Sequence, residues 1–509
     1  MTTAAQLPTG QSQPAQTAGG NRSIYTRVFQ ASAIYSIATF APLAASMITL
    51  PIYSRFLHPS DYGVLELLDA TRTVIAMIVG ARFSESLLYF YARAESDAER
   101  HASACTVVYG SLLLGLAAAI LGWILSPALS KAVFQSSGYV VHLRLVCATF
   151  GLCLPIEAVM AWLRALDRAG GYVWLALSRL VLTVAATAIF VIPLKMHVVG
   201  MLVGTLVATV LIAVYGISMF FRANSLSFNA HLFLAQLRFG FLLTATGTAL
   251  FVIHFGDRFF LERYQSLTQV GLYGLAYKCG MVVSIVQAAF SQYWFSQVYN
   301  ILDHADKVER FRRVHAYLIM TLSYLAVLIS VSAGFLFHIA LPPEYRAAAA
   351  FVPWIALTYV LRAHGDYFRS ALYVEGRPGT DTRINAVAAV VCVGLYATMI
   401  PRLGVAGAIG ATAGAFLVAA ILAWWSVART KLYTVEAGRI VRVCLITVLM
   451  ATAPLFLHVS DLRIQLLIAV AGAAAFPIAL CVSRALTHQE IESVKGIVIG
   501  SLRSAIRWA

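Results

Sequence analysis

The sequence predicts an all-α integral membrane protein of about fourteen transmembrane helices, with two pseudo-symmetric six-helix bundles around a central cavity and a carboxyl-terminal helix pair appended. Three observations predict it: an apolar composition, a succession of apolar runs of spanning length, and a repeat relating the two halves. Hydrophobic residues make up 60% of the 509 and charged residues 12%, about half the ~25% of soluble chains. That much apolar surface has to face lipid, so the natural unit is a spanning helix of about 20 apolar residues.

The spans fall near 31–53, 63–91, 103–126, 140–163, 172–193, 198–221, 236–256, 270–298, 314–339, 347–373, 384–401, 404–427, 440–457 and 464–484. Pro42 and Pro155 lie inside two of them, which membrane helices tolerate where neighbours re-satisfy the backbone. Residues 1–30 are expected to be a disordered cytoplasmic tail, because they lack the basic start and short apolar core of a signal peptide. Residues 31–221 and 236–427 form the two bundles, and 440–484 the added pair of spans 13 and 14. Residues 485–509 set Ile491, Val494 and Ile497 against Lys495, Arg503 and Arg507, the pattern of an amphipathic helix lying on the cytoplasmic face.

The net charge of +15 would point a soluble chain toward nucleic acid. Here the charges sit in short connections, so no nucleic-acid partner is expected and the charge is read as orientation. Counting Lys and Arg, the amino tail, the even-numbered connections and the carboxyl tail hold 22. The other face holds 8: Arg55, Lys131, Lys195, Arg258, Arg263, Arg346, Arg402 and Arg463. The positive-inside rule then places both termini in the cytoplasm. The seven cysteines lie in apolar stretches without a Cys-x-x-Cys pair and read as small core residues. No metal site and no cofactor are expected. No connection exceeds roughly 20 residues, too short for a soluble catalytic domain, and no phosphate-loop motif occurs. The chain therefore reads as a non-enzyme.

The halves echo each other. Ser54-Arg55-Phe56-Leu57 and Tyr62-Gly63 after the first span match Asp257-Arg258-Phe259-Phe260-Leu261 and Tyr273-Gly274 after the seventh. Arg164-Ala165-Leu166 matches Arg369-Ser370-Ala371-Leu372, and Ile192-Pro193-Leu194 matches Ile400-Pro401-Arg402. The offsets are 203, 206 and 208 residues. Six spans per unit is an even number, so the units share one topology and are related by an axis along the membrane normal, as in transporters.

A charge at mid-bilayer costs at least about 2.5–3.5 kcal/mol and normally faces a cavity or a partner. Span 2 carries Glu66, Asp69 and Arg72 on one helix face, with Arg82 and Glu85 further along. Arg72 lies about 15 Å into span 2 and Lys278 about 12 Å into span 8, its equivalent. Arg362, Asp366 and Arg369 stripe span 10, Arg179 stands in span 5 and Glu157 in span 4. The functional reading makes Arg72, Lys278, Arg82, Arg362 and Arg369 the lining of a basic cavity suited to phosphate or pyrophosphate. Glu66, Asp69, Glu85, Glu157 and Asp366 are then ion-coupling or pairing acids. The structural reading pairs Asp69 with Arg72, Arg82 with Glu85, and Asp366 with Arg362 or Arg369. It leaves Lys278 without a carboxylate three or four residues away. Tyr53, Tyr62, Tyr139, Trp162, Trp174, Trp294 and Tyr299 read as interface anchors.

Leu50-Pro51-Ile52-Tyr53-Ser54-Arg55-Phe56-Leu57 and Pro59-Ser60-Asp61-Tyr62-Gly63 resemble the opening signature of the bacterial polysaccharide-export flippases. These belong to the multidrug/oligosaccharidyl-lipid/polysaccharide exporter superfamily. Asp257-Arg258-Phe259-Phe260-Leu261 through Val270-Gly271-Leu272-Tyr273-Gly274 resembles the family's junction of spans 7 and 8, and Pro401-Arg402-Leu403-Gly404-Val405-Ala406-Gly407-Ala408 the start of its span 12. The resemblance covers roughly residues 31–430. It implies a V-shaped pair of bundles working by alternating access in the bacterial inner membrane. The implied substrate is a polyprenyl-pyrophosphate oligosaccharide, moved from the cytoplasmic to the periplasmic leaflet for surface polysaccharide biosynthesis. Membrane lipids and other polysaccharide-assembly proteins are the implied partners. Lipid II flippases of the superfamily carry cavity cations in span 1. This chain has no charge between Arg27 and Arg55, so its cavity cations are expected from spans 2 and 8. A cation-coupled multidrug exporter of the same superfamily is the alternative, followed by an integral-membrane glycan polymerase or ligase.

Overall fold

The computed structural model describes residues 41–486, apart from 43–44, 47, 80–81, 303, 429–433, 458 and 460, together with Glu490. The expected amino-terminal tail, the first part of span 1 and nearly all of the expected tail helix lie outside the described residues. Among the described residues there is no strand. After the end of span 1 the helices are α1 (Pro59–Val79), α2 (Phe83–Arg93), α3 (Asp97–Phe134), α4 (Val140–Ala165), α5 (Ala169–Val191) and α6 (His197–Ala223). Then come α7 (Ala230–Phe255), α8 (Asp257–Tyr264), α9 (Leu267–Gly280), α10 (Val282–Leu302) and α11 (Lys307–Ala340). A 3₁₀ segment (Pro343–Phe351) leads into α12 (Val352–Val374), followed by α13 (Pro378–Leu403), α14 (Val405–Val427), α15 (Ala437–Leu457) and α16 (Leu462–Val482). Among the described residues, eleven helical segments are long and apolar enough to cross a membrane; α1–α2 and α7 are not among them.

The helix ends follow local chemistry. Ser96 Oγ accepts from Glu99 N (3.2 Å) while the Glu99 carboxylate accepts from Glu95 N (2.9 Å), which starts α3 six residues before the expected span. At its far end Gln135 takes the left-handed conformation with φ 53°. Asn229 and Ser266 cap α7 and α9 by accepting from the amides of Leu232 and Gln269, three residues on, and Asp461 caps α16 by accepting from the amide of Arg463, two residues on. Spans 2 and 8, equivalent in the repeat, are each built of two helices, α1–α2 and α9–α10. Gly280 ends α9, and its low helix propensity suits a break there.

Among the described residues, two cores divide the molecule. One lies inside the first six-helix group, built on Phe83, Leu87, Val107, Ile156, Trp162 and Phe220. The other fills the second group and continues across into the first through Tyr53, Tyr62, Leu143 and Val191. The groups are thus joined at the arginine-poor face. There α1 crosses α9: a Cβ on Gly63 would overlap the Leu267 carbonyl oxygen, and one on Gly271 would overlap that of Pro59. Tyr345 OH donates to Leu57 O (2.6 Å), and its ring meets the Tyr62 ring edge-on at 5.6 Å. His58 Nδ1 lies 3.1 Å from Glu344 Oε2, Asp61 accepts from His58 N (3.0 Å), and His197 approaches Asp61 at 3.9 Å.

The Glu344 carboxylate raises the pKa of His58 above its ordinary value of 6.5. Separating the groups removes that carboxylate, so closure is favoured below about pH 6.5 and the advantage fades as pH rises through the raised value. Spin labels across this face should report more closed population in acid, and His58→Gln should flatten the dependence. An unchanged pH profile in that variant would dismiss the contact as a latch.

Helix α7 straps the two groups together. Its first half packs on the first group: Phe233 stacks with Phe83 at 6.1 Å, and Gln236 Nε2 donates to Ser103 Oγ (2.9 Å). Its last turn joins the second group, where Ile253 O accepts from Tyr396 OH (2.8 Å). The added pair α15–α16 packs on α11. Buried Arg439 of α15 is held by Glu490 (2.7 Å) and Glu436 (3.6 Å). Of the aromatic residues expected at the interfaces, Tyr53, Tyr62, Trp162 and Trp294 are instead buried. Buried aromatic polar atoms need partners inside, and Trp294 Nε1 finds one in Ser370 Oγ (3.1 Å).

Candidate functional site

A cavity of about 500 Å³ lies beneath the crossing of α1 and α9, lined by both groups. Helix α1 contributes Glu66, Asp69 and Arg72, and α9 contributes Lys278. The second group adds Arg258 from α8 and Tyr277 from α9, while Met201, Leu202 and Val146 form an apolar wall from the first. The spacing of Glu66, Asp69 and Arg72 puts all three on the face of α1 turned to this space. Arg72 and Lys278, on equivalent spans, line one cavity and are 43% and 50% exposed.

The pairing is more extensive than sequence spacing suggests. Arg72 Nη2 holds Asp69 Oδ1 at 2.8 Å within its own helix. Lys278 has no acid on its own helix; its partner is Glu66 Oε1 of the other group, 2.7 Å away. Arg82 pairs with Glu85 (2.9 Å) and also reaches Leu243 O. Arg179 pairs with Glu157 (3.0 Å) and donates to Cys153 Sγ. Asp366 is held by Arg362 (3.2 Å), Arg369 and Gln287.

Three of the five expected cavity cations are elsewhere. Arg82 is not in the lining and marks the start of α2. Arg362 and Arg369 face a narrow gap inside the second group, with Asn385 and Asp366. A stripe at helical spacing fixes which residues share a face. It does not fix which neighbour that face meets, and here α12 turns its charges onto α7 and α13.

Arg258, expected in a surface connection, is 1% exposed. Only Gly256 separates α7 from α8, so the chain does not leave the core there. Arg258 Nη1 donates to Asp257 Oδ1 (2.7 Å) and His254 O (2.6 Å), and its Nε lies 3.5 Å from Glu66 Oε2. The guanidinium lies over Tyr277 at 4.4 Å, and Tyr273 OH donates to Asp257 Oδ2 (2.5 Å). The signal in the sequence is the repeat itself, which aligns Asp257-Arg258 with Ser54-Arg55. The network extends through His254. Arg362 Nη1, always a donor, lies 2.9 Å from His254 Nε2, so Nδ1 carries the proton and donates to Tyr277 OH (2.9 Å). A polar thread thus runs from the cavity through the second group to Asp381, which is 3.4 Å from Arg369.

The family profile described as "polysaccharide biosynthesis protein" matches residues 28–295. No curated protein matches the chain. Among solved structures, the chain is similar to the lipid II flippase MurJ in an inward closed conformation, with a TM-score of 0.69 at 14% identity, covering 87% of this chain and 98% of that one. It is also similar to an inward-facing multidrug resistance transporter of the MATE family in the MOP superfamily, with a TM-score of 0.63 at 16% identity over 79% and 98%. A third likeness is to the MATE multidrug transporter DinF-BH, with a TM-score of 0.58 at 15% identity over 83% and 99%. The fold is therefore the MurJ and MATE fold.

Proposed function

We propose, from the premise that this chain belongs to the polysaccharide biosynthesis protein family, that it is a flippase for a polyprenyl-pyrophosphate-linked oligosaccharide. It moves that lipid from the cytoplasmic to the periplasmic leaflet of the bacterial inner membrane, with both termini in the cytoplasm. The observation that carries the reading is the cavity shared by Arg72 and Lys278. Each half of the repeat brings one accessible cation to the same space. A phosphate group between them would be bound by both groups at once, and rocking of the groups would turn the site from one leaflet to the other. The apolar wall of Met201, Leu202 and Val146 suits the lipid part of such a molecule.

The cation-coupled exporter is the second reading, favoured by the 59% exposed carboxylate of Asp69. Against it, Glu66, Asp69, Glu85, Glu157 and Asp366 each contact an arginine or lysine. A coupling cation would have to compete with a fixed internal one at every such site.

Deleting the gene and separating the lipid-linked intermediates by leaflet tests the choice. Complete repeat units trapped on the cytoplasmic leaflet are expected. Units already on the periplasmic side would refute flipping and favour a polymerase or ligase. Intact surface polysaccharide together with lost efflux of a lipophilic cation would favour the exporter.

A further inference from the structure

Glu66 reaches across the division between the two groups. Its Oε1 is 2.7 Å from Lys278 Nζ and its Oε2 is 3.5 Å from Arg258 Nε. Both cations belong to the second group, whereas Glu66 stands on α1. The Glu66 side chain is 11% exposed, against 59% for Asp69 three residues on. Asp69 is satisfied by Arg72 of its own helix. Arg258 is anchored through Nη1, but its buried Nε has no hydrogen-bond partner among the described residues and is directed at Glu66. Two oxygens on one carbon, set against an ammonium and a guanidinium, offer those cations what two oxygens of a phosphate would offer.

Gly274 makes this position possible. It lies one turn before Lys278 on α9, and a Cβ there would stand 2.5 Å from Glu66 Cγ and 2.6 Å from its carboxyl carbon. The bare backbone at Gly274 is what lets the carboxylate reach Lys278.

We propose that Glu66 is an internal counter-anion, occupying the phosphate-binding cations Lys278 and Arg258 while the cavity is empty and displaced from them by the substrate's pyrophosphate. The proposal rests on the flippase reading above and adds its selection rule. A neutral lipid cannot displace a carboxylate from two cations, and a doubly charged head group competes better than a singly charged one. It also describes an exchange of bridges. In the empty protein the groups are tied by Glu66; in the loaded one they are tied by phosphate between Arg72 on one side and Lys278 with Arg258 on the other. Carboxylate and phosphate repel, so the two ties exclude each other.

The test measures inorganic pyrophosphate binding to the purified full-length protein by calorimetry. Glu66→Gln, which keeps the shape and removes the charge, should tighten binding on the order of tenfold, equivalent to about 1.4 kcal/mol. Gly274→Ala changes no charge but pushes Glu66 aside, and it should shift binding in the same direction. The double variant should be no tighter than Glu66→Gln alone. Lys278→Ala should weaken binding in every background. If Glu66→Gln does not fold, Gly274→Ala carries the test. Binding unchanged or weaker in both variants, with Lys278→Ala still harmful, would overturn the counter-anion and leave the flippase reading standing. Tightening that Lys278→Ala leaves untouched would show an unspecific charge effect and also overturn it. No pyrophosphate binding in the parent or either variant would sink both readings.

Discussion

Export of surface glycan is expected to stop when Arg72→Ala and Lys278→Ala are combined. Each cation is placed to make a charge-assisted hydrogen bond to phosphate, worth about 1.5–3 kcal/mol. Losing both should weaken substrate binding by about a hundredfold to ten-thousandfold. Complementation of the deletion strain, with the protein quantified in the membrane, reads the effect directly. The substitutions also strip Arg72 from the exposed Asp69 and leave buried Glu66 with Arg258 alone, and a buried charge that loses a partner is costly in its own right. The informative companion is therefore Glu66→Gln with Lys278→Met, which removes both members of the cross-group pair. It should restore protein level without restoring export. Full export by the Arg72→Ala, Lys278→Ala protein would end the claim that these residues hold the substrate. Arg72→Lys and Lys278→Arg should each retain part of the activity, because charge is kept while geometry changes.

The second large effect is expected at the helix crossing. Gly63→Leu or Gly271→Leu inserts a side chain where a backbone carbonyl of the opposing helix already stands. To reach ordinary van der Waals distance α1 and α9 must part by roughly an ångström or more. That displacement breaks the Tyr345–Leu57 hydrogen bond and the His58–Glu344 contact. The protein should fold and remain open at its arginine-poor face, with transport near background. In a protein stripped of its native cysteines, Lys278→Cys should react with an impermeant maleimide from that face only when Gly63→Leu is present. Equal labelling without Gly63→Leu would show that the crossing does not seal the cavity.

These expectations draw on features the sequence reveals unevenly. Helices of the bundles are legible because an apolar run of spanning length has few alternatives, and α13 and α14 begin or end within a few residues of expectation. Helix α3 runs longer because its capping residues lie outside the apolar window. Local pairs such as Asp69–Arg72 are legible from spacing alone. Glu66–Lys278 is not, because the partners are far apart in sequence and meet only once two groups are packed. Arg258 is hidden for another reason: an arginine at the end of an apolar run looks like a surface residue until its neighbours Tyr273 and Tyr277 are seen to enclose it. The double role of α7, strapped to one group and built into the other, has no signature in hydropathy at all.

The crossing of α1 and α9 carries a consequence for ancestry. Gly63 meets the carbonyl of Leu267, and Gly271 meets the carbonyl of Pro59, so each helix gives the other the same kind of contact. Two identical six-helix chains paired about a two-fold axis would make this contact with a single glycine and a single carbonyl. A six-helix unit that was duplicated and fused would carry this seal over without further change. What fusion adds is freedom for the copies to differ. Glu66 has a glycine, Gly274, at the 208-residue offset that relates Gly63 to Gly271. A pair of identical chains would hold the acid-to-cation bridge across its axis twice or not at all. Holding it once, with the acid on one side alone, requires halves that differ in sequence.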